Sequence, residues 1–384
     1  MNDISTSAAP QHITAQRFTD SRTDYLSFLR NTSEKARTVA HILQQFSKLA
    51  INPRVLRLFD AGIGDGEILT RLARAAHKKH PSTPFFIAGR EISGEDVGMS
   101  LHKMVGIFTE HPDTVFAVTN FANENAVSLG ANAPELLKKT VWREIALTGH
   151  TADDFQQQMD ALMPSLAKNW QSTASEKTGN VIPKQRTVLV FYRKDRQSIL
   201  QPIIPAKGHP VGNYHIINAS QPYSAASPAP SKAKRVILPL AHALDPTGML
   251  VVTHASGTGS GSKIIRHVWP DHNPYINLNG RDIIQAAKAE CCATPQFGKP
   301  GHRLEAAIDS FSYGMNPLLG NGPLSTLVLP AILNAALYTA QIPPQLTSNM
   351  SPAIMMEATR AVHAKHNGQI SFANQSMTFT WQPV

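Results

Sequence analysis

The sequence is poor in cysteine, in acidic residues and in long apolar runs, and each shortage excludes a class of protein. Its two cysteines, Cys291 and Cys292, are adjacent, so they cannot form an ordinary disulfide with each other, and no Cys/His spacing typical of zinc sites occurs. No apolar run approaches the roughly 20 residues of a membrane-spanning helix. The segment Met1–Gln16 lacks the apolar stretch of a secretory signal. We therefore expect a disordered tail over residues 1–20 and a cytoplasmic protein without metal or membrane attachment.

The shortage of acidic residues gives the chain a net charge of +9. A basic protein can bind nucleic acid when its charges form a continuous patch. Here the Lys and Arg residues are dispersed, apart from small groups such as Lys78–Lys79 and Lys232–Arg235, and no zinc finger or RNA-binding motif accompanies them. The pattern favours a solvated basic surface, so nucleic acid is not the expected partner.

A glycine-rich turn follows the first buried strand of the predicted fold. The apolar run Val55–Phe59 is short and bounded by turn residues, which indicates a strand covered on both faces. After Asp60, glycines occupy the alternate positions Gly62, Gly64 and Gly66, where the missing Cβ lets the backbone turn sharply and approach a ligand. Turns that bind dinucleotides space their glycines as G-x-G-x-x-G. The spacing therefore predicts a ligand-binding turn, and it argues against NAD and FAD.

Polar residues follow the next two predicted strands. The strand Phe85–Glu91 ends in an acidic residue, Glu91, and a carboxylate at this position can accept hydrogen bonds from both hydroxyls of a ribose. The strand Thr114–Val118 is followed by Asn120 and Phe121, which suit hydrogen bonding and stacking with adenine. These residues predict an adenosine site beside the glycine turn.

The pattern changes between residues 126 and 212. Pro134–Leu147 and Ala152–Trp170 are predicted to be helical, Thr187–Tyr192 is predicted to be a strand, and Ile199–Pro205 is its expected partner. Loops of this length are usually functional or disordered, but this segment has enough apolar residues to fold. We expect an inserted subdomain that acts as a lid or an oligomerisation element, and a homodimer stays open.

The predicted sheet resumes with a fourth strand that begins at Tyr214. This strand would bring Ser220, Gln221 and Tyr223 to the edge of the sheet where open α/β folds bind their ligands. A fifth strand follows at Met249–His254. The sequence therefore predicts further polar side chains beside the adenosine site.

Two further features lie after the predicted fifth strand. The loop Ala255–Ser262 is rich in glycine and serine, so it is expected to be flexible and able to move over a ligand. The final segment, Gln369–Trp381, alternates polar and apolar residues as a half-buried strand does. We expect this segment to be the last strand of the sheet.

The order of these motifs resembles that of class I S-adenosylmethionine-dependent methyltransferases. The turn Asp60–Gly66 is similar to the first motif of that class, and a final antiparallel strand is typical of its sheet. The resemblance implies an α/β fold with a Rossmann-like, seven-stranded sheet and helices on both faces. Residues 21–125 and 213–384 would form the two halves of the methyltransferase domain, with residues 126–212 inserted between them.

Both chain ends resemble one branch of that class, the histamine N-methyltransferase family. The segment Tyr25–Glu34 is similar to that family's leading helix with its substrate-contacting glutamate. The loop Ala255–Gly261 is similar to the family's serine/glycine loop. The segment Ser371–Asn374 is similar to its last strand, which carries a substrate-contacting asparagine.

This resemblance implies S-adenosyl-L-methionine as the cofactor and a small-molecule acceptor that is methylated on an amine or imidazole-like nitrogen. The expected cofactor-binding residues are Asp60, Gly62, Gly64, Gly66, Glu91, Asn120, Phe121 and Ser220. The residues expected to hold the acceptor for catalysis are Glu34, Asn374 and Gln221. Those expected to bind it around its edges are Tyr25, Phe28, Tyr223 and His254.

Three alternatives stay open. The chain could methylate oxygen or carbon in natural-product biosynthesis, in which case Glu34 would be structural. It could instead bind the cofactor without catalysing a reaction, because a fold does not fix a function. An RNA methyltransferase is the third alternative, and its affinity for RNA would fall steeply with salt.

Overall fold

The computed structural model describes residues 22–175, 181–316 and 328–384. The predicted N-terminal tail lies outside these residues. Within them, the strands in chain order are β1 (Leu56–Asp60), β2 (Phe85–Arg90), β3 (Thr114–Thr119), β4 (Val141–Leu147), β5 (Ser172–Ala174), β6 (Val181–Pro183), β7 (Thr187–Arg193), β8 (Tyr214–Ser220), β9 (Leu244–Ala255), β10 (His302–Gly314) and β11 (Ser371–Pro383).

Helices are distributed along the whole described chain. They are α1 (Arg22–Asn31), α2 (Glu34–Lys48), α3 (Glu67–Lys79), α4 (Gly94–Glu110), α5 (Asn123–Ala126), α6 (Pro134–Lys138), α7 (Ala152–Asn169), α8 (Gln197–Leu200), α9 (Ala229–Lys232), α10 (Leu238–His242), α11 (Ser262–Val268), α12 (Gly280–Ala293), α13 (Val328–Thr339), α14 (Pro344–Ser348) and α15 (Pro352–Lys365). A π-helical stretch, Ala233–Ile237, joins α9 to α10. No helix in these ranges combines the length and hydropathy that crossing a bilayer requires.

One sheet of nine strands organises the described part of the chain, in the order β10-β11-β9-β8-β1-β2-β3-β7-β4. Strands β1, β2, β3, β8 and β9 are parallel. The last strand, β11, lies between β9 and β10 and is antiparallel to both. The predicted Rossmann-like α/β sheet with a reversed last strand is confirmed, and β4 and β7 extend it beyond β3.

Helices cover both faces of the sheet, as predicted. One apolar cluster joins the sheet to α2, α3, α4 and α7. A second cluster joins the opposite face to α5, α10 and α12. The parallel strands at the centre are buried on both sides, which explains their nearly continuous apolar sequences.

The segment 126–212 shares the main sheet instead of building a separate one, apart from the short hairpin of β5 and β6. Only Pro134–Lys138 of the predicted helix Pro134–Leu147 is helical, because the β-branched and aromatic residues that begin at Val141 form β4. Strand β4 is also the partner of β7. The prediction that Ile199–Pro205 pairs with β7 was wrong.

The N-terminal helices are anchored beside the last two strands. The junction between α1 and α2 pairs with the end of β10, where Ser33 N donates to Gly314 O at 2.9 Å. Asn316 N donates in turn to Asn31 O at 2.7 Å. These bonds fix the start of α2, and therefore Glu34, against the carboxyl edge of the sheet.

Candidate functional site

A cavity of about 410 Å³ lies at the carboxyl ends of the central strands, beneath α1. Nine of the residues predicted for the two ligands line it: Tyr25, Phe28, Glu34, Gly62, Gly64, Glu91, Ser220, Gln221 and Tyr223. They come from segments far apart in the chain, so only the fold brings them together.

The glycine turn forms one wall of the cavity. Gly64 has a φ of 53° and Gly66 a φ of 81°, a backbone region that favours glycine. The Gly64 N–H donates to Glu91 Oε2 at 2.9 Å, which ties the turn to the end of β2. Gly62 differs from both, since a Cβ placed on it meets no protein atom within 4 Å. The protein alone does not require glycine at position 62, and the space beside it belongs to the cavity.

A buried polar chain supports this turn from below. Asp60 Oδ1 accepts hydrogen bonds from Gly62 N at 3.1 Å and from Asn218 Nδ2 at 3.2 Å. The Ser220 hydroxyl donates to Asn218 Oδ1 at 3.0 Å. Asp60 Oδ2 is buried and has no hydrogen-bond partner among the described residues. Burial therefore raises the pKa of Asp60 to about 7.

Asp60→Asn is expected to change how stability depends on pH. A carboxyl group whose folded pKa lies above its unfolded value of 3.8 costs stability as the pH rises toward 7. As the pH rises from 5 to 8, the free energy of unfolding of D60N should therefore increase by about 3 kcal/mol relative to that of wild type. Denaturant unfolding at the two pH values measures this difference. Parallel pH profiles for the two proteins would contradict it, and Glu357→Asn, at an exposed acid on α15, provides the control.

Glu91 closes the same side of the cavity. Its Oε1 accepts from Ile92 N at 2.6 Å and Ser93 N at 2.9 Å, so backbone donors hold the carboxylate in place. Burial raises the pKa of Glu91. The neighbouring Arg90 also lines the cavity, and its Nε donates to Phe121 O at 2.9 Å. Glu91 and Arg90 thus contribute a carboxyl group and a guanidinium group to the lining of the same cavity.

Glu34 lies on the opposite wall, on the first turn of α2. Its Oε1 accepts from the Thr38 hydroxyl at 3.0 Å and from Asn374 Nδ2 at 3.3 Å. Asn374 is fully buried on β11, and its Oδ1 has no hydrogen-bond partner among the described residues. Burial raises the pKa of Glu34. The two residues predicted to hold the acceptor are thus in direct contact, with Asn374 behind Glu34.

Aromatic side chains complete the wall around Glu34. Phe28 stacks on Tyr338 with 4.4 Å between ring centroids, and it meets the edge of Tyr313 at 6.4 Å. Tyr25 lies over the glycine turn, because a Cβ on Gly64 would approach its hydroxyl to 3.0 Å. Burial raises the pKa of these three tyrosines, so their hydroxyls stay protonated. The result is an aromatic wall around the Glu34 carboxyl group.

Gln221 and Tyr223 line the cavity from the segment after β8. Gln221 has a φ of 49°, which is rare outside glycine and persists only where the surroundings enforce it. Its backbone N–H donates to Thr253 O at 2.8 Å. The Tyr223 hydroxyl lies 2.6 Å from His254 Nδ1. His254 does not line the cavity and contacts it through Tyr223.

Besides Asp60, three residues predicted for the cofactor do not line the cavity. Asn120 donates to Gln185 O and accepts from Thr187 N, both at 2.9 Å, so its amide joins β3 to the start of β7. Phe121 is packed in the core, where a Cβ on Gly130 would meet its ring at 2.8 Å. Gly66 begins α3. None of the three lines the cavity. Asn120 and Phe121 follow β3, beside which the segment 126–212 adds β7, whereas a Cβ on Gly66 would lie 3.0 Å from Ser100 of α4.

The glycine/serine loop is also structural. A Cβ on Gly259 would lie 2.3 Å from Ser371 O, and one on Gly261 would lie 2.2 Å from the ring of Phe372. Ser256 N and Gly261 N both donate to carbonyls of β11 at 2.8 Å. The loop therefore packs on β11, and none of its residues lines the cavity; its movement over a ligand stays a prediction.

Sequence reasoning missed several residues of the site. Asn218 did give a signal in the sequence, because it is a polar residue within the predicted fourth strand, which begins at Tyr214 and is otherwise largely apolar. Arg90 gave no separate signal, since the predicted ligand-binding residue at the end of this strand was the acid beside it, Glu91. Tyr313 and Tyr338 gave no such signal, since aromatic residues in a strand and a helix are most often core residues.

No protein-family model matches this sequence. No curated protein matches it either.

Solved structures show broad likenesses at low identity. A Haemonchus contortus phosphoethanolamine N-methyltransferase 2, in complex with phosphomonomethylethanolamine and S-adenosylhomocysteine, has 10% identity and a TM-score of 0.34; the alignment covers 97% of this chain and 62% of that one. This chain thus spans less than two thirds of that protein. A putative sarcosine dimethylglycine methyltransferase from Galdieria sulphuraria has 13% identity and a TM-score of 0.32, with 89% and 84% covered. A geranyl diphosphate methyltransferase has 9% identity and a TM-score of 0.31, with 89% and 78% covered.

Proposed function

We propose that this chain is an S-adenosyl-L-methionine-dependent methyltransferase that methylates a nitrogen of a small amine or imidazole-like acceptor. One observation carries the proposal. The glycine turn with Glu91 and the aromatic wall with Glu34 face each other across a single cavity of about 410 Å³. That volume falls within the usual range of small-molecule sites.

The cofactor half fits S-adenosyl-L-methionine. The open space at Gly62 allows a ligand to approach the backbone, and the buried Oδ2 of Asp60 lacks a partner in the described protein. Glu91 would accept hydrogen bonds from the ribose hydroxyls. Bound there, the cofactor supplies a methyl group on a positively charged sulfur. Gly62, Gly64, Glu91 and Ser220 are the residues that would hold it.

The acceptor half suits a cationic amine. Aromatic faces attract ammonium groups, and a buried carboxylate pairs with them. The amine must lose a proton before its lone pair can react. Because burial raises the pKa of Glu34, its carboxylate is a better proton acceptor than an exposed glutamate. Glu34 would take this proton, while Gln221 and the aromatic residues orient the acceptor.

Two measurements test the proposal. Isothermal titration calorimetry should show binding of S-adenosylhomocysteine. Incubation with methyl-labelled S-adenosyl-L-methionine should then transfer label to histamine or 2-phenylethylamine, used as probe amines, and not to catechol. Binding without transfer to any probe would favour a non-catalytic protein, and transfer to catechol alone would favour oxygen methylation. Absence of binding would contradict the proposal as a whole.

A further inference from the structure

We propose that Tyr223 orients the acceptor nitrogen by accepting a hydrogen bond from its N–H, and that His254 and Gln375 fix the direction of the Tyr223 hydroxyl for this purpose. The inference rests on the proposed function and narrows its substrate class. It concerns a chain of partly buried polar groups behind the acceptor half of the cavity. Gln375 was not predicted from the sequence to take part.

The direction of each hydrogen bond follows from a backbone donor. Gly280 N donates to Gln375 Oε1 at 2.9 Å, which identifies that atom as the carbonyl oxygen. The same oxygen lies 3.3 Å from His254 Nε2. Since a carbonyl oxygen only accepts, Nε2 must carry the hydrogen. In a neutral imidazole Nδ1 is then bare, so it accepts from the Tyr223 hydroxyl at 2.6 Å.

The surroundings keep His254 neutral. The residue is 1% exposed, and burial lowers the pKa of its imidazole to about 4. The positive charge of Lys232 lowers the pKa of His254 further. Lys232 Nζ lies 5.1 Å from the centre of the Tyr223 ring. Lys232 donates to Ala225 O at 3.1 Å and to Asn277 O. The Lys232 ammonium group therefore lies over the Tyr223 ring, and its charge disfavours protonation of the His254 imidazole.

The consequence is a selective acceptor of hydrogen bonds. The Tyr223 proton is committed to His254, and no other hydrogen bond to its hydroxyl occurs within the described residues. Tyr223 lines the cavity, so its oxygen is the atom that the proposal places against the acceptor, where it can accept a hydrogen bond but cannot donate one. Primary and secondary amines have an N–H to offer, and neutral tertiary amines do not. A site that requires this bond discriminates strongly against a ligand that lacks it.

Kinetics with three probe amines test the inference: 2-phenylethylamine, its N-methyl derivative and its N,N-dimethyl derivative. Wild type should methylate the first two and fail with the third. Tyr223→Phe and His254→Phe should each lower kcat for N-methyl-2-phenylethylamine about tenfold while the Kd for S-adenosylhomocysteine stays unchanged. The double variant should be no worse than either single one, since the two groups act as a unit.

His254→Asn is the conservative variant, because its amide oxygen can replace Nδ1 as the acceptor. It should recover most of the loss seen with His254→Phe, whereas a purely structural role predicts equal losses. Multiplicative effects in the double variant would overturn the inference, as would turnover of the dimethyl amine at the rate of the other two.

A spectroscopic test separates this inference from the proposed function. Long-range proton–nitrogen NMR spectra of the ligand-free protein should show His254 with a protonated Nε2 and a bare Nδ1. A hydrogen on Nδ1 would overturn the inference even if methyl transfer occurs. Failure of wild type to bind S-adenosylhomocysteine would instead contradict the proposed function.

Discussion

Replacing Glu34 by glutamine is expected to lower kcat/KM for an amine acceptor by about 100-fold or more, because a general base contributes at least that factor. Glutamine keeps the size of the side chain and an oxygen that can accept from Thr38 and Asn374. It cannot take a proton or pair with an ammonium group. Methyl-transfer kinetics at saturating cofactor measure the loss. The Kd for S-adenosylhomocysteine should stay within about threefold, since Glu34 lies on the acceptor wall.

Two further variants make this prediction specific. Asn374→Ala removes one of the donors that hold Glu34, so it should raise KM for the amine more than it lowers kcat. Glu357→Gln, at the exposed surface of α15, should leave the kinetics unchanged. Full activity in E34Q would remove Glu34 from the mechanism and leave it as a structural residue.

Gly62→Val is expected to weaken binding of S-adenosylhomocysteine about 100-fold with little effect on stability. A Cβ at this position meets no protein atom within 4 Å, and its backbone φ is not in the left-handed region, so the ligand-free fold can accept a side chain. The valine methyl groups would instead fill space that the cofactor needs. Overpacking of this kind costs about 3 kcal/mol, which corresponds to about 100-fold in Kd.

Calorimetry and thermal unfolding of the same samples check both halves of this prediction. Gly62→Ala should weaken binding by about tenfold, because it adds one methyl group. Gly212→Val provides the matched control, since its nearest atom is Ala243 O at 4.0 Å and it does not line the cavity. Unchanged affinity in G62V would show that the cofactor does not approach this part of the turn.

The sequence by itself determined which edge of the sheet carries the cavity. The glycine spacing, the acid at the end of β2 and the alternation in β11 are local patterns, and local patterns report backbone geometry directly. The resemblance that these patterns carry implied the Rossmann-like sheet and the reversed last strand, both of which the structure confirms. The glycine spacing predicted Gly62 and Gly64 at the cavity, and the resemblance implied Tyr25 and Phe28 of α1.

The tertiary structure decided what surrounds those residues. Val141–Leu147 became a strand because β7 offered it a partner, although a helix was expected from its sequence. The same added strands committed Asn120 to the backbone of β7 and left Phe121 in the core. A propensity calculated along the chain cannot include a partner that lies dozens of residues away.

The contact between Glu34 and Asn374 shows the same limit most clearly. Their separation of 340 residues is bridged by a hydrogen bond of 3.3 Å, which exists only because α2 starts against the end of β10. Tyr313, Tyr338 and the chain from Tyr223 to Gln375 likewise depend on packing between distant elements. The sequence determined where a ligand can bind, because turns and strand ends are local. Only the tertiary structure decided which charges and rings face that ligand.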